Sequence, residues 1–476
     1  MRERDISILL VSVPVVEEFN GELVRAYMDS FKNNPHVGVY LLAAILRPHF
    51  PVAVLDMVTA KMWSRETVLE ASKGFEVVGI SGNSMNWAAA REVAQWIRRE
   101  RDDVVIVAGG PHPTLYPDEV LAEGFFDYVV RGEAEKVIVP LIRAIARGEQ
   151  NPALPGIVRF GLPGRMVSPL KIDAPTFERL PEPAWDLLPD PKLFQSMPLE
   201  TARGCLSACN FCAIPHQRSW RPRSPARVAD SIRSIVGTAS LTRTGKLSIT
   251  DDCTTISPDR LIELGNLMYS GGISASLTLD GRALDITKHP HLLETLNPFI
   301  ANFLVGAECG YDEGLKLVAK PITTRTLIEA AKILCGYGAP DRFVFSFIIG
   351  LPWEKIDQCK KTIKFAEHLI LNYGICVFLQ WFTLVPGSRF WAEIGESETI
   401  CRNYGYFSNL DWWMKHNNLS LGDVVDLCET IFSIVRFNRA IYSDGRIGFA
   451  IPMGLRKRFP DWEAVAKGSA AFEKPL

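Results

Sequence analysis

The sequence has almost no net charge, no long apolar run and few cysteines, and each shortage removes a class of function. Lysine and arginine total 52 against 54 acidic residues, a formal charge of −2. A balance this even gives no electrostatic case for nucleic acid or an anionic membrane. No window approaches the roughly 20 uninterrupted apolar residues of a membrane span. Met1 to Asp5 lead straight into a short apolar stretch, Ile6 to Val13. That stretch is too short for a secretory h-region and has no small-residue cleavage site after it, so a cytoplasmic protein is expected. Ten cysteines in 476 residues do not make a secreted disulfide scaffold. No Ser/His/Asp or paired-carboxylate pattern marks a hydrolytic centre, and no catalytic side chain is singled out.

What is present is an ordinary globular balance, 47% apolar and 22% charged, with length for about two to four domains. Seven cysteines (Cys253, Cys309, Cys335, Cys359, Cys376, Cys401, Cys428) are scattered singly. The other three, Cys205, Cys209 and Cys212, fall within eight residues.

The N-terminal third alternates strand and helix patterns. Apolar runs at 6–13, 52–56, 77–81, 104–108 and 128–130 read as strands, with helices over 38–48 and 86–101 between them. This alternation predicts a doubly wound parallel sheet, α/β in class and Rossmann-like. Ligands of such sheets sit beyond the carboxyl ends of the strands. The loops there carry Ser81, Asn83, the run Gly109, Gly110, His112 and Thr114, and the pair Gly132 and Glu133. Small residues let backbone amides approach a ligand, although each loop alone could be a plain turn. Prolines from Pro152 to Pro191 exclude a long helix and mark a linker over 149–194.

The linker leads to Leu199-Glu200-Thr201-Ala202-Arg203-Gly204-Cys205-Leu206-Ser207-Ala208-Cys209-Asn210-Phe211-Cys212. Three thiolates spaced Cys-x3-Cys-x2-Cys suit three irons of a cubane and leave the fourth iron open. The competing reading is a closed zinc site with His216 as fourth ligand, hence a zinc-stabilised ligand-binding protein.

This cysteine spacing resembles the radical S-adenosylmethionine (SAM) superfamily. Asn34-Pro35-His36-Val37-Gly38, the run 109–114 and the run 131–135 resemble the cobalamin-binding domain that precedes many such enzymes. One departure stands out: Asp56-Met57-Val58-Thr59-Ala60-Lys61 lacks the histidine and glycine of the Asp-x-His-x-x-Gly motif, so this loop offers cobalt no lower histidine. His36 and His112 read as a helix-start residue and a loop hydrogen-bonder rather than metal ligands.

The resemblance implies a cobalamin-binding domain at 1–148, a partial (β/α)6 radical SAM barrel at 195–400, and a small, mainly helical capping domain at 401–476. It implies a [4Fe–4S] cluster, SAM and cobalamin as cofactors, with Phe211, Asp252, Arg282 and Glu308 near the cluster, SAM or substrate. It implies a C-methyltransferase that abstracts hydrogen from a small, natural-product-like substrate through a 5′-deoxyadenosyl radical and then takes a methyl group from methylcobalamin. A flavodoxin or ferredoxin would supply the electron. A cobalamin-containing cyclase or rearranging enzyme without methyl transfer is the second enzymatic reading. A methylthiotransferase is disfavoured, because no second cysteine cluster occurs in the N-terminal third. Tyr404, Tyr406, Phe407, Trp412 and Trp413, followed by a helix over 421–437, read as a cap on the barrel mouth.

Overall fold

A computed structural model of the chain describes residues 5–19, 22–25, 34–57, 63–149, 151–161, 167–395, 418–437 and 447–449. They fall into two compact units that divide between Pro198 and Leu199.

The first unit is built on a six-stranded sheet, in the order Val52–Asp56, Ile8–Ser12, Val77–Ser81, Val105–Gly109, Tyr128–Val130 and Ile157–Arg159. The first five strands are mutually parallel and the last is antiparallel. Ile8–Ser12 is buried at every position, which is why its sequence is a continuous apolar run rather than an alternating one. Helices Val37–Leu46, Trp87–Glu100 and Ile138–Ala146 fill the connections. Among the parallel strands the order is second, first, third, fourth, fifth, so the crossovers reverse direction between Ile8–Ser12 and Val77–Ser81. A crevice opens at such a switch point. The two-stranded hairpin Val16–Phe19 and Glu22–Arg25 is an addition that the sequence pattern did not announce.

Residues of the expected linker, including a short strand near Ile157, are packed on this unit. Ile157–Arg159 completes the sheet, and Ile172, Phe177 and Leu180 bury against Leu41 of the first helix. Prolines do exclude a long helix there. They do not exclude short pieces such as Ala174–Glu178, whose first turn is capped by the Asp173 carboxylate on the Thr176 amide.

The second unit carries a seven-stranded sheet in the order Met197–Leu199, Leu247–Ile249, Leu277–Arg282, Ile300–Glu308, Phe343–Ile349, Cys376–Trp381 and Ile447–Phe449. Neighbours from Leu247–Ile249 onward are parallel, with helices in the connections, which is the partial-barrel pattern expected. The seventh strand was not foreseen. The third runs to Arg282, where Asp280, Gly281 and Arg282 keep their register with Leu304, Val305 and Gly306. Helix Leu421–Phe437 packs on Ile356–Tyr373, with Lys360 Nζ 2.6 Å from Asp426 Oδ2. The expected capping aromatics between Tyr404 and Trp413 lie outside the described residues. Among the described residues no helix is long and apolar enough to cross a membrane.

Candidate functional site

The cysteine loop is closed at its base by a short antiparallel ladder, Ala202 opposite Pro222 and Arg203 opposite Arg221. Buried Arg260 staples the two sides, its Nη2 donating to Thr201 O and its Nε to Arg223 O, both at 2.8 Å. Asp251, at the end of the neighbouring strand, accepts from the Thr201 and Ala202 amides at 2.6 and 2.8 Å and from the Thr201 hydroxyl. Asp252 accepts from the Gly204 amide at 2.7 Å. Gly204 has φ of 90°, and a Cβ on it would sit 2.1 Å from Ser219 O, so only glycine lets the chain turn here. The loop is therefore shaped by its own backbone before any ligand arrives.

The three thiols are not equivalent. Cys205 is buried, and its thiol is held below the usual range, chiefly by its interaction with the neighbouring Cys253 thiol, with the Ser207 amide and the Arg282 charge adding to it. Burial pushes Cys209 up to about 11 and raises Cys212. Arg282 is locked by both oxygens of Asp285, each at 2.7 Å, and its Nη1 reaches Ser207 Oγ at 3.2 Å. Thr255 donates to Asp285 at 2.7 Å and lies 3.7 Å from Cys253 Sγ. Cys253, unremarkable in the sequence, thus stands directly behind the first cysteine. Phe211 is half-buried on the loop.

Glu308 ends the fourth barrel strand in the left-handed region, at φ of 59°, where the register with Phe343–Ile349 slips. Its carboxylate is ion-paired with Lys320, and Lys320 also donates to Gly306 O at 2.6 Å. Both side chains are about nine-tenths buried, with 9 and 10% exposed. Both charges act on Cys209, which places the pair beside the cysteine loop. A Cβ at Gly306 would lie 2.8 Å from both Glu308 Oε1 and Lys320 Nζ, so the strand is thinned to admit them. Lys320 was missed in the sequence.

In the first unit, Ser81, Gly109, Gly110 and His112 meet at the carboxyl edge of the sheet. The Gly82 amide donates to Gly109 O at 3.1 Å and the His112 amide to Gly82 O at 3.2 Å. Gly110, with φ of 98°, packs so closely on Gly82 that a Cβ would fall 2.6 Å from its oxygen. A Cβ on Gly109 would meet nothing within 4 Å, so its backbone faces open space. Asn83 is exposed, and its Oδ1 folds back on its own turn to accept from the Met85 amide at 2.8 Å. Thr114 Oγ1 bridges Gly110 O and the Gly132 amide, each at 2.8 Å. Glu133 accepts from the Ile172 amide at 2.5 Å. Thr114, Gly132 and Glu133 therefore brace this edge through their own hydrogen bonds, while Asn83 lies exposed on it. His112 is buried, 3.0 Å from Ser84 Oγ and stacked 4.7 Å from Trp87, and burial drops its imidazole to about 3. It supports the loop from behind. Asp56 accepts from the Tyr40 hydroxyl at 3.0 Å, and Val58 to Lys61 lie outside the described residues.

Trp87 Nε1 donates to Glu123 at 3.2 Å, and burial lifts that carboxyl to about 7. A carboxyl raised on folding stabilises the native state at low pH, and the gain is lost as pH climbs from about 4.5 to 7. Glu123→Gln is expected to flatten this part of the stability profile, by up to about 3 kcal/mol, and to abolish a tryptophan fluorescence titration near neutral pH. An unchanged profile in urea unfolding between pH 5 and 7.5 would count against it.

The donor chemistry fits an iron–sulfur cluster. Three soft thiols share one preformed loop, a donor set that suits three irons of a cubane. The open backbone at Gly109 fits a broad ligand lying on the sheet edge.

Comparison with known proteins agrees with both halves. The B12 binding domain model matches residues 25–142, and the Radical SAM superfamily model matches residues 199–366. An uncharacterized methyltransferase of Pyrococcus horikoshii is 26% identical over 80% of this chain and 83% of its own. The anaerobic magnesium-protoporphyrin IX monomethyl ester cyclase of Rubrivivax gelatinosus is 24% identical over 74% of this chain and 64% of its own. Among solved structures, the radical SAM methyltransferase TsrM of Kitasatospora setae, with cobalamin and a [4Fe–4S] cluster bound, aligns at a TM-score of 0.69 and 15% identity over 99% of this chain and all of its own. The cobalamin-dependent SAM radical enzyme OxsB aligns at 0.64 and 18% identity over 87% of this chain, which spans 57% of that protein. With a B12-binding domain ahead of a radical SAM domain, the chain belongs to the cobalamin-dependent radical SAM enzymes, whose cofactors are a [4Fe–4S] cluster, SAM and cobalamin.

Proposed function

We propose that the chain transfers a methyl group to an unactivated carbon of a small, natural-product-like molecule. The observation that carries this reading is the pairing, in one chain, of a three-thiol loop beside the Glu308–Lys320 pair with a sheet edge open at Gly109. When bound, the cofactors supply one-electron cleavage, hydrogen abstraction and methyl delivery. The protein's own share is to bind, orient and exclude water. Cys205, Cys209 and Cys212 would hold the cluster. Lys320 and Glu308 offer opposite charges suited to the carboxylate and amine of SAM. Arg282 and Asp252 brace the loop through Ser207 and Gly204. Ser81 and the Gly109–Gly110 backbone would receive the corrin. In the cytoplasm a flavodoxin or ferredoxin would supply the electron.

The methyltransferase name of the Pyrococcus relative, which this chain matches over most of both lengths, supports methyl transfer over cyclisation. The Rubrivivax relative keeps the cyclase reading alive as the second one. Anaerobic incubation of the reconstituted enzyme with methyl-deuterated SAM, a reductant and a small-molecule extract separates them. Methyl transfer yields deoxyadenosine together with S-adenosylhomocysteine and a deuterated product. Deoxyadenosine with neither of the others would reject methyl transfer and favour the cyclase.

A further inference from the structure

Helix Asp312–Leu317 ends in a tight turn. The Ala319 amide donates to Lys316 O at 3.0 Å and the Lys320 amide to Leu315 O at 2.9 Å, with Ala319 left-handed at φ of 57°. This closing pattern covers the carbonyls of Leu315 and Lys316 and leaves those of Leu317 and Val318 to find donors elsewhere. One residue supplies both. Asn210 Nδ2 donates to Leu317 O at 2.9 Å, and the Asn210 amide donates to Val318 O at 3.1 Å. The Asn210 carbonyl in turn accepts from the Phe390 amide at 3.0 Å. Asn210 stands between Cys209 and Cys212, and two residues past Val318 the chain delivers Lys320 to Glu308. The middle of the cysteine loop is therefore the C-terminal cap of the helix that carries the lysine.

We infer that Asn210 is a positioning residue that fixes the three thiols relative to the Glu308–Lys320 pair. The inference rests on the reading that SAM is held between the cluster and that pair. A single amide-to-carbonyl bond lets two segments pivot. A second bond from the same residue to the adjacent carbonyl removes that freedom. Two groups that must grip one small molecule need such a fixed span, because a displacement of about 1 Å can cost on the order of a hundredfold in rate.

Asn210→Asp keeps the size and both main-chain bonds but sets a carboxylate against the Leu317 carbonyl, and Asn210→Ala removes the side-chain bond alone. Both are compared with wild type as reconstituted holoenzyme, by iron content and by electron paramagnetic resonance of the reduced cluster titrated with SAM. All three thiols remain, so iron per chain is expected to match wild type. The SAM concentration giving half the spectral change is expected to rise at least about tenfold in Asn210→Asp and less in Asn210→Ala. A wild-type titration curve in Asn210→Asp overturns the inference. So does iron loss that accounts for the weaker response, since Asn210 would then only hold the loop together. A wild-type spectrum indifferent to SAM instead rejects the proposed placement of SAM, and the inference with it.

Discussion

Alanine at Cys205, Cys209 or Cys212 is expected to cut retained iron from about four atoms per chain to below about one, because a cubane needs its thiolates in place before it can be held. Visible cluster absorption and SAM cleavage should vanish with it. The scaffold is expected to survive, since the loop is fixed by the Ala202–Pro222 and Arg203–Arg221 ladder, by Arg260 and by Asp251 rather than by the thiols. Cys253→Ala is the informative partner. It removes the neighbouring thiol that interacts with Cys205 without removing a ligand, so iron should be retained while the cluster loses one donor to its sulfur. Anaerobic reconstitution followed by iron, sulfide and zinc analysis checks all four variants. Zinc at one per chain without sulfide, or iron unaffected by alanine at any of Cys205, Cys209 and Cys212, would sink the cluster assignment.

Much of this centre was legible in the sequence because its information is local. Three cysteines within eight residues declare their chemistry at any level of structure, and strands buried on both faces, such as Ile8–Ser12 and Phe343–Ile349, announce themselves as apolar runs. What was not legible depends on folding. Lys320 lies twelve residues past Glu308, across a helix and a left-handed turn, and nothing in the local pattern says that the turn brings it back. Cys253 reads as one of seven stray cysteines until the strand Leu247–Ile249 is set beside the loop. The prolines of 149–194 were read as a linker because they forbid long elements. Burial of Phe177 and Leu180 needs only a few residues, and periodicity cannot see that. His112 shows the opposite case: its place in a glycine-rich loop suggested ligand contact, while stacking on Trp87 turns it into the core.

Breaking the Glu308–Lys320 pair is expected to have the other large effect. Glu308 occupies a backbone conformation that costs a non-glycine residue about 1–2 kcal/mol, and glycine there would remove that cost. A carboxylate kept against such a preference, on a strand cleared by Gly306, is there for its charge. Glu308→Gln leaves the Lys320 ammonium buried with Gly306 O but without its counter-charge, and such a loss typically costs about 3–5 kcal/mol of stability. Lys320→Met leaves the carboxylate in the same position. The double variant restores neutrality, so its stability should recover well beyond the sum of the two single losses. SAM binding should not recover, because neither charge remains to meet the amino and carboxylate groups. The comparison separates the two roles: stability is read by urea unfolding, and SAM affinity by the cluster's spectral response. If the double variant regains both stability and SAM affinity, the pair is an internal brace. If it regains stability alone, with SAM affinity still down by on the order of a hundredfold (about 2.7 kcal/mol), then Glu308 and Lys320 hold the substrate of the radical step.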